Sequence, residues 1–153
     1  MSGSGWSITE SPLTYDQGCG VIFDRTAVPM VKGSDLVAFV ATTDLAKARE
    51  FYEEVLSLRL VEANDYAAVF DANGTMLRVT AVPDRAAAAY TVLGWRVTGI
   101  EGVITELSGK GIAFTRYEGL EQDDAGIWTT PNGDQVAWFT DPDGNVLSLT
   151  QFN

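Results

Sequence analysis

Histidine is missing altogether, and cysteine occurs once in 153 residues, as Cys19. The first absence removes the commonest general base and the commonest metal ligand together. The second forbids an internal disulfide, which agrees with a reducing compartment. Cys19 sits in "QGCGV" with no neighbouring cation to activate it and reads as an inert thiol. Cations are scarce as well: ten Lys and Arg stand against 21 Asp and Glu, a formal net charge of −11. That field repels a phosphate backbone and an anionic membrane, so neither nucleic acid nor membrane is expected as a partner. No apolar run approaches the roughly 20 residues that a spanning helix needs, and the N-terminus lacks a signal peptide's basic start and apolar stretch. The expectation is a cytoplasmic protein.

What is present fits one globular domain, with 46% apolar and 20% charged residues. Residues 1–34 are rich in Gly, Ser, Pro and Thr and carry one short apolar run, Val21 to Phe23. They read as a partly flexible arm, with one added edge strand or an intersubunit contact as its expected uses. From Leu36 the pattern sharpens. "LVAFVAT" is a buried strand; Thr43 or Asp44 then caps a helix with apolar positions at Leu45, Ala48, Phe51, Tyr52, Val55 and Leu56. "RLVEA", "YAAVFDA" and "TMLRVTAV" follow as strands, the last two joined by the hairpin signal Asn73-Gly74.

The pattern recurs from Tyr90. "TVLGWRV" is a strand, and Ile100, Val103, Ile104 and Leu107 mark one face of a helix. "IAFTRYE", "GIWTT" and "QVAWFT" read as strands, the latter two joined at Asn132-Gly133, and Asp141 to Gly144 turns into "NVLSLTQF". This internal repeat predicts an α+β fold of two βαβββ modules, about 35–83 and about 90–152, forming a cupped mixed sheet around a cavity.

A repeated βαβββ unit opened by "TTDLAKAREFYEEVLSLRL" and closed by "FTDPDGNVLSLTQF" resembles the vicinal oxygen chelate superfamily, over roughly residues 35–152. That group contains glyoxalase I, the bleomycin-resistance proteins, fosfomycin-resistance enzymes and extradiol dioxygenases. One departure is Ser57, where relatives usually carry a helix-ending Gly. The resemblance implies metal ligands at four strand positions, which fall here on Val37, Arg78, Val92 and Ser148. A divalent ion needs several converging N, O or S ligands, and two valines, a cation and a hydroxyl do not supply them. No metal and no cofactor are therefore expected. The acidic loop residues Glu121, Asp123 and Asp124 are better read as a solvated face than as a cation site. The resemblance also implies a homodimer.

Strand alternation sorts the remaining candidates. Val37, Phe39 and Ala41, then Met76, Arg78 and Thr80, then Val92, Gly94 and Arg96, then Val146, Ser148 and Thr150 share the cavity face. The opposite parity, from Ala38 and Val40 to Leu147 and Leu149, is almost wholly apolar and belongs under the helices. Arg78 and Arg96 are suited to a carboxylate or phosphate, although pairing with an acidic side chain is the commoner fate of an arginine. Trp128 and Trp138 flank a hairpin, with Tyr66, Tyr90 and Tyr117 near strand ends, and can stack on a flat ligand or simply fill core. The candidate ligand-binding residues are thus Val37, Phe39, Met76, Arg78, Val92, Arg96, Trp128, Trp138 and Ser148; none is assigned a catalytic role.

These features favour a metal-free protein binding a small organic molecule in the cleft between modules, similar in type of action to the bleomycin-resistance proteins. The net charge favours a cationic ligand, whereas the two arginines favour an anionic one. One alternative is a lyase, isomerase or dioxygenase with a displaced metal site, or with acid/base work by Glu62, Asp65 or Tyr90. Another is a dimerisation or regulatory module.

Overall fold

The computed structural model describes residues 31–153. Cys19 and the apolar run at 21–23 lie outside the described residues. Val31–Gly33 form a single 3₁₀ turn, and Asp35–Asn153 form one compact unit.

Two four-stranded mixed sheets make up that unit. In the first, β1 (Val37–Thr42) lies parallel to β4 (Thr75–Ala81), followed by antiparallel β3 (Ala67–Ala72) and β2 (Arg59–Ala63). In the second, β5 (Thr91–Arg96) lies parallel to β8 (Val146–Gln151), followed by β7 (Gln135–Thr140) and the two-residue β6 (Trp128–Thr129). Each parallel pair brackets a helix: α1 (Leu45–Glu50) in the first module and α2 (Ile100–Gly109) in the second. This is the expected α+β repeat. The Asn73-Gly74 turn has positive φ at both residues, as a tight hairpin between right-twisted strands requires.

The helices form where their apolar spacing lets them cover a sheet. Asp44 caps α1, its carboxylate accepting from the Lys47 N–H at 3.1 Å. After Glu50 the helix widens into a π-helical stretch, Phe51–Val55, with the Leu56 N–H reaching back five residues to the Phe51 carbonyl at 3.0 Å. Ser57 then takes the left-handed conformation, φ 56°, a region that glycine enters without strain. The Lys110 ammonium from the second module stands at this helix end and donates to the Val55 carbonyl at 2.9 Å and the Ser57 hydroxyl at 3.0 Å, where a cation suits the helix dipole. The start of α2 carries Gly99, which has no capping side chain; instead Gln151 of β8 accepts from the Gly99 and Ile100 N–H groups.

Even positions of β1 and odd positions of β4 and β8 pack beneath the helices, as alternation predicts. Val40, Leu77, Val79, Leu147 and Leu149 join Tyr52, Phe70, Ile100, Ile104 and Phe139 in a single buried cluster drawn from both modules. One chain therefore builds one core from its two repeats.

Two expectations are corrected. The stretch "IAFTRYE" is not a strand. Its one ladder-like bond runs from the Thr115 N–H to the Trp138 carbonyl at 2.7 Å, and the Gln122 side chain takes the Tyr117 N–H and the Thr115 carbonyl for the loop itself. Backbone groups satisfied locally have no need of a neighbouring strand. Val92, expected on the open face, instead packs against the core, because the β5–β8 register slips between Thr91 and Leu93.

The segment Asp141 to Asn145, read from sequence as a turn, joins the modules. The Asp141 carboxylate, 4% exposed, accepts from the Tyr52 hydroxyl at 2.9 Å, the Asn145 amide at 2.6 Å, and the Asp143 and Asn145 backbone N–H groups. Asn145 also donates to the Ala41 carbonyl at 3.0 Å. Asp143 accepts from the Thr42 and Thr43 hydroxyls and the Thr43 N–H, while Arg85 donates to its carbonyl. Desolvation pushes the Asp143 carboxyl up, but the bonds from Thr42 and Thr43 outweigh it and hold the group below the usual carboxylate range. Burial, then the charge of Asp141, raises Tyr52 far above an ordinary phenol, so it stays a neutral donor.

Candidate functional site

The faces turned away from the helices carry the candidate site. In the second sheet, register places Gly94, Ser148 and Trp138 in one row across β5, β8 and β7. Arg96, Thr150, Val136 and Trp128 form the next row. Strands sit roughly 4.8 Å apart, so a side chain on β7 must cross β8 to reach β5. Trp138 does so: its indole N–H donates to the Thr91 hydroxyl at 3.1 Å. The ring thereby lies over β8, which accounts for the 7% exposure of Ser148. Ser148 turns its hydroxyl into the space that Gly94 leaves open; a Cβ at Gly94 would sit 2.5 Å from that oxygen.

Trp138 is also the centre of an aromatic group. Trp128 stacks on it with centroids 6.2 Å apart and planes 28° from parallel, and Tyr117 meets it edge-on at 5.4 Å. Both indoles are only partly buried. They are held there by register, since Trp128 pairs with Val136, two residues before Trp138 on the same face. At the other end of the row, the Arg96 guanidinium lies over the Phe152 ring at 5.5 Å.

In the first sheet, Phe39, Arg78 and Val69 form a row, with Val37, Met76 and Asp71 in the next. Phe39 is 65% exposed and Met76 46%, an apolar surface open to solvent. Arg78 is half-buried in it. Of the other expected groups, Glu62 on β2, Asp65 in the following turn and Tyr90 before β5 are exposed, and Tyr66 is too. In the acidic loop the Asp123 carboxylate accepts from the Ala125 and Ile127 N–H groups, and Asp124 contributes its backbone carbonyl to Arg116.

The site therefore brings together Trp128, Trp138 and Ser148 in one module and Val37, Phe39, Met76 and Arg78 in the other, each set on an open sheet face. Sequence reading missed two participants, Tyr117 and Thr91 as partners of Trp138. Tyr117 was visible only as an aromatic near a strand end, and the Thr91 contact depends on the slipped β5 register, which has no sequence signature.

Two βαβββ modules sharing a core, with helices on one side and an open face on the other, define an α+β fold of repeated modules. The chain belongs to the Glyoxalase/Bleomycin resistance protein/Dioxygenase superfamily, whose model matches residues 33–149. Among solved structures it resembles a putative glyoxalase family protein from Bacillus anthracis, at 16% identity and a TM-score of 0.64, over 82% of this chain and 99% of that one. It also resembles a lactoylglutathione lyase from Agrobacterium tumefaciens, at 16% identity and a TM-score of 0.61, over 77% of this chain and 92% of that one. A superfamily member from Sphaerobacter thermophilus DSM 20745 is 22% identical with a TM-score of 0.61, over 78% of this chain and 97% of that one. No curated protein sequence matches the chain.

The donor set does not fit the metal that the resemblance implies. Val37 and Val92 offer hydrocarbon, Arg78 a cation, and the Ser148 hydroxyl is turned to Gly94 beneath an indole. Among the described residues no three His, Cys, Asp or Glu side chains gather as a metal site would need. Likewise, among the described residues no helix is long and apolar enough to cross a membrane.

Proposed function

We propose that this protein binds a small organic molecule with a flat apolar body on the open sheet faces, by shape and stacking and without a metal. The observation that carries the reading is the Trp128–Trp138–Tyr117 group, which keeps two stacked indoles partly solvent-accessible on one face. Partly exposed aromatic faces beside Gly94 and Thr150, with Ser148 covered beneath the Trp138 ring, suit a planar ring. Stacking of this kind needs neither a nucleophile nor a base, in keeping with the scatter of Glu62, Asp65 and Tyr90.

A second copy of the chain closes the site in this reading. Support comes from the apolar surface on the first sheet, where Phe39 and Met76 stand open together. Patches of this sort on a soluble domain mark an interaction surface. Sequestration by such a pair is a binding function of the bleomycin-resistance type, in the reducing interior of a cell.

The test is a titration of tryptophan emission with a panel of planar heteroaromatic compounds, with sedimentation equilibrium for the dimer. At least one compound should quench emission with saturation, and Trp128→Ala should weaken it about fivefold, in line with an aromatic contact of about 1 kcal/mol. Stoichiometric, tight binding of Zn²⁺ or Ni²⁺ with no response to any aromatic compound would overturn the reading.

A further inference from the structure

Arg78 is the anomaly of the open face. It stands in the middle of β4 between Phe39 and Val69, with Met76 and Thr80 on either side along its own strand. Five N–H donors are thereby set into a largely apolar surface, yet among the described residues the Arg78 side chain has no ion pair and no hydrogen bond. Neither of the carboxylates that share its face, Asp71 and Glu62, pairs with it. Asp71 pairs with Arg59 at 2.8 Å and caps Gly74, and Glu62 accepts from Asn64. Two residues along, the Thr80 hydroxyl is buried with no hydrogen-bond partner among the described residues. One strand thus carries two polar side chains without partners among the described residues, a half-buried guanidinium and a buried hydroxyl. Arg96 differs: it is exposed and already stacked on Phe152.

A half-buried guanidinium without a counter-charge loses hydration and gains nothing in return, unless an anion completes it. The planar fork matches a carboxylate through two parallel bonds. We infer that Arg78 anchors the anionic group of the bound molecule, so that the ligand of the open face is an organic acid whose apolar body lies against Phe39 and Met76. This inference rests on the binding reading above and narrows it. It also decides between the opposing charge signals of the chain: the net charge of −11 acts at long range and is screened within about 8 Å at physiological salt, whereas Arg78 acts at contact.

Two probes with the same ring system separate the possibilities, 1-naphthoate and the neutral 1-naphthamide, titrated calorimetrically into the full chain. The wild type should bind naphthoate about tenfold or more tightly than naphthamide, the factor expected for a hydrogen-bonded charge pair. Arg78→Gln should erase that preference and leave naphthamide binding unchanged, while Arg78→Lys should keep part of it and Arg49→Gln, on α1 and away from the open faces, all of it. Because Arg78 has no partner to lose, Arg78→Gln should melt no lower than the wild type, which separates lost recognition from lost folding. Equal affinity for the two probes overturns the organic-acid inference and leaves the stacking reading standing. A preference that survives Arg78→Gln overturns Arg78 as the anchor. An Arg78→Gln chain that falls from dimer to monomer in sedimentation shows the counter-charge to be a carboxylate of a second copy, and overturns the inference too. Binding of neither probe overturns both readings together.

Discussion

The turn joining β3 to β4 and the turn joining β7 to β8 hold equivalent places in the two modules. Both open on an aspartate, Asp71 or Asp141, whose carboxylate accepts backbone N–H groups. There the likeness ends. Asp71 meets Arg59 in solvent, and that bond, with the Gly74 N–H, holds its carboxyl below the ordinary range at the surface. Asp141 is buried and collects the Tyr52 hydroxyl from the other module, while Asp143 and Asn145 beside it reach Thr42, Thr43 and Ala41. A duplicated unit has thus kept one turn as a local device and made the other the joint between its halves. The difference teaches that burial, not the turn sequence alone, decides what an aspartate in a turn contributes.

The largest expected effect comes from breaking the buried turn. Asp141→Ala leaves the Tyr52 hydroxyl and the Asn145 amide without their acceptor, and should cost about 3 kcal/mol or more in a urea titration. Tyr52→Phe is milder, about 1 to 2 kcal/mol, because it removes one donor from a carboxylate that keeps three others. The same variant sharpens the pH response. Tyr52 has a folded-state pKa raised above its unfolded value, so its contribution is complete below about pH 10 and is lost as pH rises further. The wild type should lose stability above pH 10 more steeply than Tyr52→Phe. Asp143 has a depressed folded-state value, so its contribution is complete above about pH 4 and is lost as pH falls below that. Asp143→Asn should therefore flatten the acid limb of a pH-dependent melting series. The smallest effect belongs to the solvent turn: Asp71→Ala should leave the urea midpoint unchanged within error, since exposed ion pairs contribute little. An Asp71 variant as damaging as the Asp141 one would break the contrast.

Much of the site was legible for one reason, that strand side chains alternate with a period of two. The open positions Val37, Phe39, Met76, Arg78 and Arg96 follow from parity, and Trp128 with Trp138 from a hairpin that sets them on one face. Val92 escaped, because a one-residue slip in register moves a side chain off its expected face and nothing in "TVLGW" announces it. The segment "IAFTRYE" escaped because Gln122 satisfies its backbone from six or so residues away in the chain, a choice that propensity does not register. Ser148 was placed on the correct strand and face, yet its accessibility depends on a tryptophan that crosses β8 to bond Thr91.

The order of residues determined the repeat, the two helices, the apolar underside of both sheets and the side chains Val37, Arg78, Val92 and Ser148 at the four strand positions of the resemblance, because these depend on local periodicity and on side-chain chemistry. Tertiary structure decided which turn became the joint, which hydroxyl was covered and which arginine was left without a counter-charge among the described residues. Those outcomes depend on contacts between residues far apart in the chain, such as Tyr52 with Asp141 and Thr42 with Asp143, and no local pattern encodes their distance.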